Sequence, residues 1–100
     1  MRIGMRLKST VCTTEIIVVR TSDGDLDLRC GGSPMVPLDA KIGDFPGPAI
    51  AFASGTLLGK RYVAGDFGLE VICSKPGAGS LSVGDQPLEV MKPRLLPSSD

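Results

Sequence analysis

Thirteen glycines and eight prolines among 100 residues leave no room for a long helix. Proline inside a helix removes a backbone donor and clashes with the preceding turn, and glycine loses the most backbone entropy there. The segments between them are short and rich in Val, Ile and Leu, residues that suit a pleated, half-buried surface. The pattern is that of an all-β domain. Strands are expected over about 2–8, 13–20, 26–30, 60–64, 69–74, 79–83 and 87–92. Joined by consecutive hairpins, they imply a small barrel or roll of six to seven mostly antiparallel strands. One β domain takes residues 1–92, followed by an extended C-terminal tail over 93–100.

Two hairpins stand out. Glu15-Ile-Ile-Val-Val-Arg20 and Leu26-Asp-Leu-Arg-Cys30 flank Asp23-Gly24, a favoured turn because glycine adopts positive φ without a Cβ clash. That turn sets Arg20 opposite Asp27, Val19 opposite Leu28 and Ile17 opposite Cys30, matching charge with charge and apolar with apolar. The second hairpin joins Leu69-Glu-Val-Ile-Cys-Ser74 to Ser80-Leu-Ser-Val-Gly84 through Lys75-Pro-Gly-Ala-Gly79. Period 2 places Leu69, Val71 and Cys73 on one face, and Leu81 with Val83 on one face of the return strand.

Residues 31–59 break this regularity with a long apolar loop, a feature that in compact domains is usually functional. Four prolines there argue against a long element, although Pro48 suits the first position of a short helix ending near Gly55. An apolar loop of this kind is expected to pack on another subunit or partner, the alternatives being a lid folded over its own barrel and a small-ligand pocket. Met35, Val36, Phe45, Ile50, Phe52, Leu57 and Leu58 are therefore its expected partner-binding residues, the partner being a second copy of the chain or a larger protein.

The chain has no histidine. That excludes the Ser-His-Asp triad, the Cys-His dyad and imidazole ligation of metals. Eleven Lys and Arg against eleven Asp and Glu give zero formal charge, which argues against nucleic acid held by phosphate neutralisation. The charges are nonetheless separated. Residues 1–20 carry three excess positive charges and residues 21–45 three excess negative charges, as complementary neighbouring segments would. The longest β-branched run, Ile16-Ile-Val-Val19, is too short to span a bilayer. Residues 1–9 lack the apolar run of a signal peptide, so no membrane association and a cytoplasmic location are expected.

Without histidine, the three cysteines are the only soft ligands. Cys12, Cys30 and Cys73 each close a β-like segment before a turn. An odd number without an export signal fits reduced thiols, and unpaired cysteine is among the most buried residue types. The alternative to core packing is a zinc or iron site, or a redox role, using all three. Cys30 shares its strand face with Ile17, and an unbroken strand puts Cys12 on the other face unless a bulge near Thr13 or Thr14 intervenes. A nucleophilic Cys30, with Gly31 and Gly32 as an amide nest and Arg29 lowering its pKa, is a third possibility.

Other motifs carry less. Asp23-Gly-Asp25-Leu-Asp27 alternates carboxylates but has Leu28 and Pro34 where a calcium-binding EF-hand loop needs Gly and Glu. Gly55-Thr-Leu-Leu-Gly-Lys60-Arg61 has the wrong spacing for a phosphate loop. Lys75-Pro-Gly-Ala-Gly-Ser80 presents two glycines, a hydroxyl and a lysine that suit an anion. Over those six residues it resembles in shape the hairpin loop of the elongation factor P amino-terminal barrel. The chain thus reads as a small non-catalytic binding or accessory protein without a cofactor, with a cysteine-ligated metal or redox protein as the alternative.

Overall fold

The computed structural model describes residues 1–22 and 26–91. Among them, ten short strands make two antiparallel sheets. The strands are β1 (Arg6–Lys8), β2 (Glu15–Arg20), β3 (Leu28–Cys30), β4 (Ser33–Pro34), β5 (Val36–Pro37), β6 (Arg61–Ala64), β7 (Leu69–Lys75), β8 (Leu81–Val83), β9 (Gln86–Pro87) and β10 (Glu89–Val90). One sheet runs β10-β6-β7-β2-β1-β5 and the other β4-β3-β8-β9. The protein is therefore all-β, as the glycine and proline spacing requires. Each of the seven expected segments contains a strand, and β4 and β5 are additional, in a stretch whose prolines hid them.

The core lies between the two sheets. Alternation along β2 and β7 turns Ile16, Val18, Leu69, Val71 and Cys73 inward, and Leu28, Cys30, Leu81 and Val83 face them from the second sheet. The buried polar groups are accounted for as well. Arg61 Nη1 donates to Glu70 at 2.7 Å, and Ser82 Oγ donates to Gly84 O at 2.9 Å.

Both expected hairpins are corrected. Ile17 pairs with Arg6 and Ile72, and Arg20 with Glu70, so Arg20–Asp27, Val19–Leu28 and Ile17–Cys30 are not partners. β3 pairs with β4 and β8 instead. Likewise β7 pairs with β2 and β6, and β8 with β3 and β9, so Leu69–Ser74 and Ser80–Gly84 do not form a hairpin. The reason is layering. A sheet with one apolar face must bury it against another element, and pairing these segments in sequence would leave the face of β2 and β7 uncovered. The Asp23-Gly24-Asp25 turn lies outside the described residues, as does the tail over 93–100. The short helix near Pro48 reduces to one 3₁₀ turn over Ile50–Phe52.

Two bent stretches join the sheets at their borders. β4 passes directly into β5, and β9 into β10, so each stretch serves one sheet with its first half and the other with its second. Backbone groups alternate sides along a strand. Met35 N–H bonds Leu28 O and Leu88 N–H bonds Leu81 O, which turns the nitrogens of Pro34 and Pro87 to the unpaired side, where they have no hydrogen to offer. Pro37 has none either. Met91 N–H bonds Arg61 O at 2.8 Å, so the Val90 N–H and C=O face the side of β10 that has no partner strand among the described residues. Of the four border strands, β10 alone lacks a proline.

Candidate functional site

Cys12 and Cys30 meet where the sheets approach each other. Cys12 is not on a strand at all. It sits in the tight turn between β1 and β2, closed by Ser9 N–H to Thr14 O at 2.9 Å. Ser9 Oγ accepts the N–H groups of Val11 and Cys12 at 3.1 and 3.2 Å, a local side-chain turn of the kind serine favours. The turn carries Cys12 Sγ to 3.8 Å from Cys30 Sγ, and the expected bulge is not what joins them. Ile16 and Val18, not Ile17, share the core face with Cys30, so Cys12 is already on the matching parity. Thr14 Oγ1 lies 3.3 Å and Ser9 Oγ 3.5 Å from Cys12 Sγ. Because Ser9 Oγ already accepts two amides, its own proton is free to point at sulfur.

The Lys75–Ser80 segment covers the pair. Gly77 exchanges both backbone hydrogen bonds with Thr56, Ser80 N–H bonds Phe52 O, and Gly31 N–H bonds Ser80 O. Thr56 Oγ1 donates to Gly79 O, and Gly79 N–H donates to Cys12 Sγ at 3.4 Å. Its glycines are there for space. A Cβ on Gly79 would lie 3.0 Å from Cys30 Sγ, and one on Gly77 would lie 2.6 Å from Thr14 N and 3.1 Å from Cys12 Sγ. The anion-loop expectation fails for the same reason: the amides of Gly77 and Gly79 are used internally, and Lys75 Nζ lies 3.8 Å from Glu15 Oε2.

The two thiols are electrostatically unlike. Burial pushes the Cys12 thiol up, but the Ser9 and Thr14 hydroxyls and the Thr14 and Gly79 amides outweigh it and bring the pKa from 9.0 to about 7. Burial, then the neighbouring Cys12 charge, pushes Cys30 up to about 12. Gly31 N–H is committed to Ser80, and Arg29 turns to Asp27 at 2.9 Å and to Gly32 O at 3.0 Å. Cys30 is therefore not an activated nucleophile, and the lowered thiol is Cys12.

These shifts act oppositely on stability. The folded protein releases the Cys12 proton more readily than the unfolded chain, so this group adds stability above pH 9.0 and the contribution is lost as pH falls through about 7. The Cys30 contribution is present below pH 9.0 and is lost as pH rises toward about 12. Alkylation of native Cys12 by a small haloacetamide is accordingly expected to rise with a midpoint near pH 7, about two pH units below that of the unfolded chain. Mass spectrometry of quenched time points measures it, and a midpoint near 9 would contradict the three-donor environment.

Cys73 is buried in the same core, its burial pushes its thiol up, and its S–H donates to Lys75 O at 3.2 Å. Among the described residues, no three of His, Cys, Asp or Glu converge as a metal-binding group. The structure thus brings Cys12 and Cys30 together and engages Cys73 with the backbone.

The expected docking residues divide. Ile50 is 98% exposed, Leu58 64% and Leu57 60%, and Phe45 is also exposed. Phe52 is half-buried beside Gly32. Met35 packs against the core and lines a different hollow together with Met5, Leu7 and Leu28, while Val36 is half-buried in β5. Beside Leu57 a groove of about 310 Å³ is lined by Phe52, Leu57, Tyr62, Leu81, Leu88 and Val90. Tyr62 fixes one wall, its hydroxyl accepting Leu57 N–H at 2.9 Å. Exposed Val90 and Met91 extend the apolar rim. Sequence reasoning missed these two, along with Ser9 and Thr14. Val90 lay inside an expected strand, but its value as an open edge depends on where the prolines fall in the sheets.

No helix is long and apolar enough to cross a membrane among the described residues. Comparison with protein-family models, with curated proteins and with solved structures found no match for the chain.

Proposed function

We propose that the protein is a small non-catalytic assembly module that pairs with a second copy of itself along β10. The observation that carries this reading is that β10 has both a backbone edge with no partner among the described residues and a residue, Val90, that lines an apolar groove. The Val90 N–H and C=O turn toward the unpaired side, and Val90, Leu57 and Phe52 line that groove. An edge that presents free backbone groups is a template for strand addition. A second copy suits it because a two-fold axis through Val90 makes the two Val90 residues exchange both hydrogen bonds. The same axis sets Glu89 of each copy opposite Met91 of the other, so no like charges face each other. Zero net charge adds no long-range repulsion.

Val90→Pro is the discriminating variant. It removes the outward N–H and leaves the Met91–Arg61 bond to β6 in place, so the monomer keeps its fold. Sedimentation velocity across a concentration series is expected to show a monomer–dimer equilibrium for the native chain. The variant should weaken it by at least about tenfold, the effect of about 1.4 kcal/mol. Leu57→Ser weakens it further through the groove that Leu57 lines. A chain that stays monomeric throughout the series, or a dimer indifferent to Val90→Pro, would overturn the reading.

A further inference from the structure

We propose that Cys12 and Cys30 are a reversible dithiol–disulfide pair, in which a peroxide oxidises Cys12 and Cys30 then closes a disulfide between the two sheets. This is independent of pairing along β10. The first support is distance. Both thiols are free, and their sulfurs lie 3.8 Å apart, near van der Waals contact. A disulfide needs about 2.05 Å, an approach shared between two side chains.

The second support is the asymmetry of the pair. Cys12 Sγ is surrounded by the Ser9 hydroxyl, the Thr14 hydroxyl and the Gly79 amide at 3.5, 3.3 and 3.4 Å. These groups stabilise a thiolate, the form that attacks a peroxide. Cys12 also retains 7% of its surface, while Cys30 retains none. The reagent therefore meets Cys12 first, and Cys30 is reached only by the oxidised neighbour. Cys73 shares the core, but its S–H is engaged by Lys75 O at 3.2 Å, whereas the sulfurs in contact are those of Cys12 and Cys30.

The chemistry balances in two steps. The Cys12 thiolate attacks one oxygen of the peroxide, the O–O bond breaks, and Cys12 sulfenic acid forms with release of hydroxide. Sulfenic acid formation removes the Cys12 charge that helps hold the Cys30 proton. Cys30 then passes that proton to the departing hydroxide as its sulfur attacks the sulfenic sulfur, the S–O bond breaks, and water leaves. Two thiols lose two electrons and two protons, and the peroxide is reduced to water. An external dithiol reverses the change by thiol–disulfide exchange.

The experiment treats the reduced full-length chain with a small excess of hydrogen peroxide at neutral pH. Free thiols are then alkylated, and intact mass and peptide maps are recorded. The expected product is a monomer about 2 Da lighter, carrying a Cys12–Cys30 cross-linked peptide that a dithiol reductant removes, with Cys73 alkylated only after unfolding. Cys30→Ala is expected to yield no cross-link and a Cys12 sulfenic acid that dimedone captures. Thr14→Val keeps the side-chain outline and removes one donor, and it should slow the first step by about tenfold without changing which residues are linked. Four results would overturn the proposal: Cys12 sulfinic acid without a cross-link in the native chain; a linkage to Cys73; a linkage between two chains; or a stoichiometric metal on Cys12 and Cys30 that blocks oxidation until it is chelated.

Discussion

Gly77→Ala is expected to lower the unfolding free energy by about 3 kcal/mol, a large share of the 5–15 kcal/mol or so that holds an ordinary domain together. The new methyl carbon would stand 2.6 Å from Thr14 N and 3.1 Å from Cys12 Sγ, and neither neighbour can yield easily. Thr14 is fully buried in the turn that Ser9 closes, and Gly77 is tied on both sides to Thr56. Relief must come from lifting the Lys75–Ser80 segment, which takes the Gly79 amide away from Cys12 and uncovers both thiols. Urea unfolding measures the stability loss, and faster alkylation of Cys12 and Cys30 in the native state reports the lifting. Gly43→Ala is the control. Nothing lies within 4 Å of its Cβ position and its φ is ordinary, so it should stay within about 0.5 kcal/mol of the native chain. An unchanged Gly77→Ala midpoint would show that the segment is not seated on the thiol pair.

Ile16→Ala carries the second large effect, a loss of about 2 to 5 kcal/mol. Ile16 is fully buried in β2, paired with Leu7 on one side and Cys73 on the other. Its side chain faces the layer formed by Leu28, Cys30 and Leu81. Truncation leaves a void that two hydrogen-bonded strands cannot collapse to fill. Ile17→Ala tests the alternation, since Ile17 points away from that layer and is only half-buried. It should cost clearly less, and equal losses would mean that the inward face of β2 is wrongly assigned.

Strand positions were legible in the sequence because they rest on local chemistry, and strand partners were not. Leu69, Val71 and Cys73 announced their shared face by period 2, whereas the sequence reading of β2 is one residue out: it sets Ile17 and Val19 on Cys30's face, and the fold buries Ile16 and Val18 there instead. Pairing depends instead on which segment reaches which, and β2 chose β7, some fifty residues along the chain, over the nearer Leu28–Cys30. The register that matched Arg20 with Asp27 was self-consistent and still not adopted, because charge and apolar matching on one sheet says nothing about the need for a second layer. The thiol site was half legible. The parity that set Cys12 apart from Cys30 was inherited from the hairpin register that the fold does not adopt, and with Ile16 and Val18 facing Cys30 it falls away. That Ser9 would shape the turn around Cys12 by accepting two amides at once was not legible, since serine in a short turn has many equivalent uses. The Lys75–Ser80 glycines read as a hairpin or an anion loop, but what they make room for is sulfur from two distant segments. Leu57, Leu58 and Ile50 were read as docking residues from composition and are exposed in the fold, whereas Met35 belongs to the core because β3 donates its neighbours.

The distribution of prolines along the border strands sets a valence. Among the described residues, Pro34, Pro37 and Pro87 silence three borders, and β10 is left able to bond. A unit with one bonding edge can join one other unit, and the union consumes the edge of both. Pairing along β10, as proposed, would therefore terminate at its first step, in contrast to a sheet with two live edges, which adds copies without limit and ends as a fibre. In a chain so rich in short apolar strands, three residues that cannot donate a hydrogen bond are what would keep the proposed pairing finite.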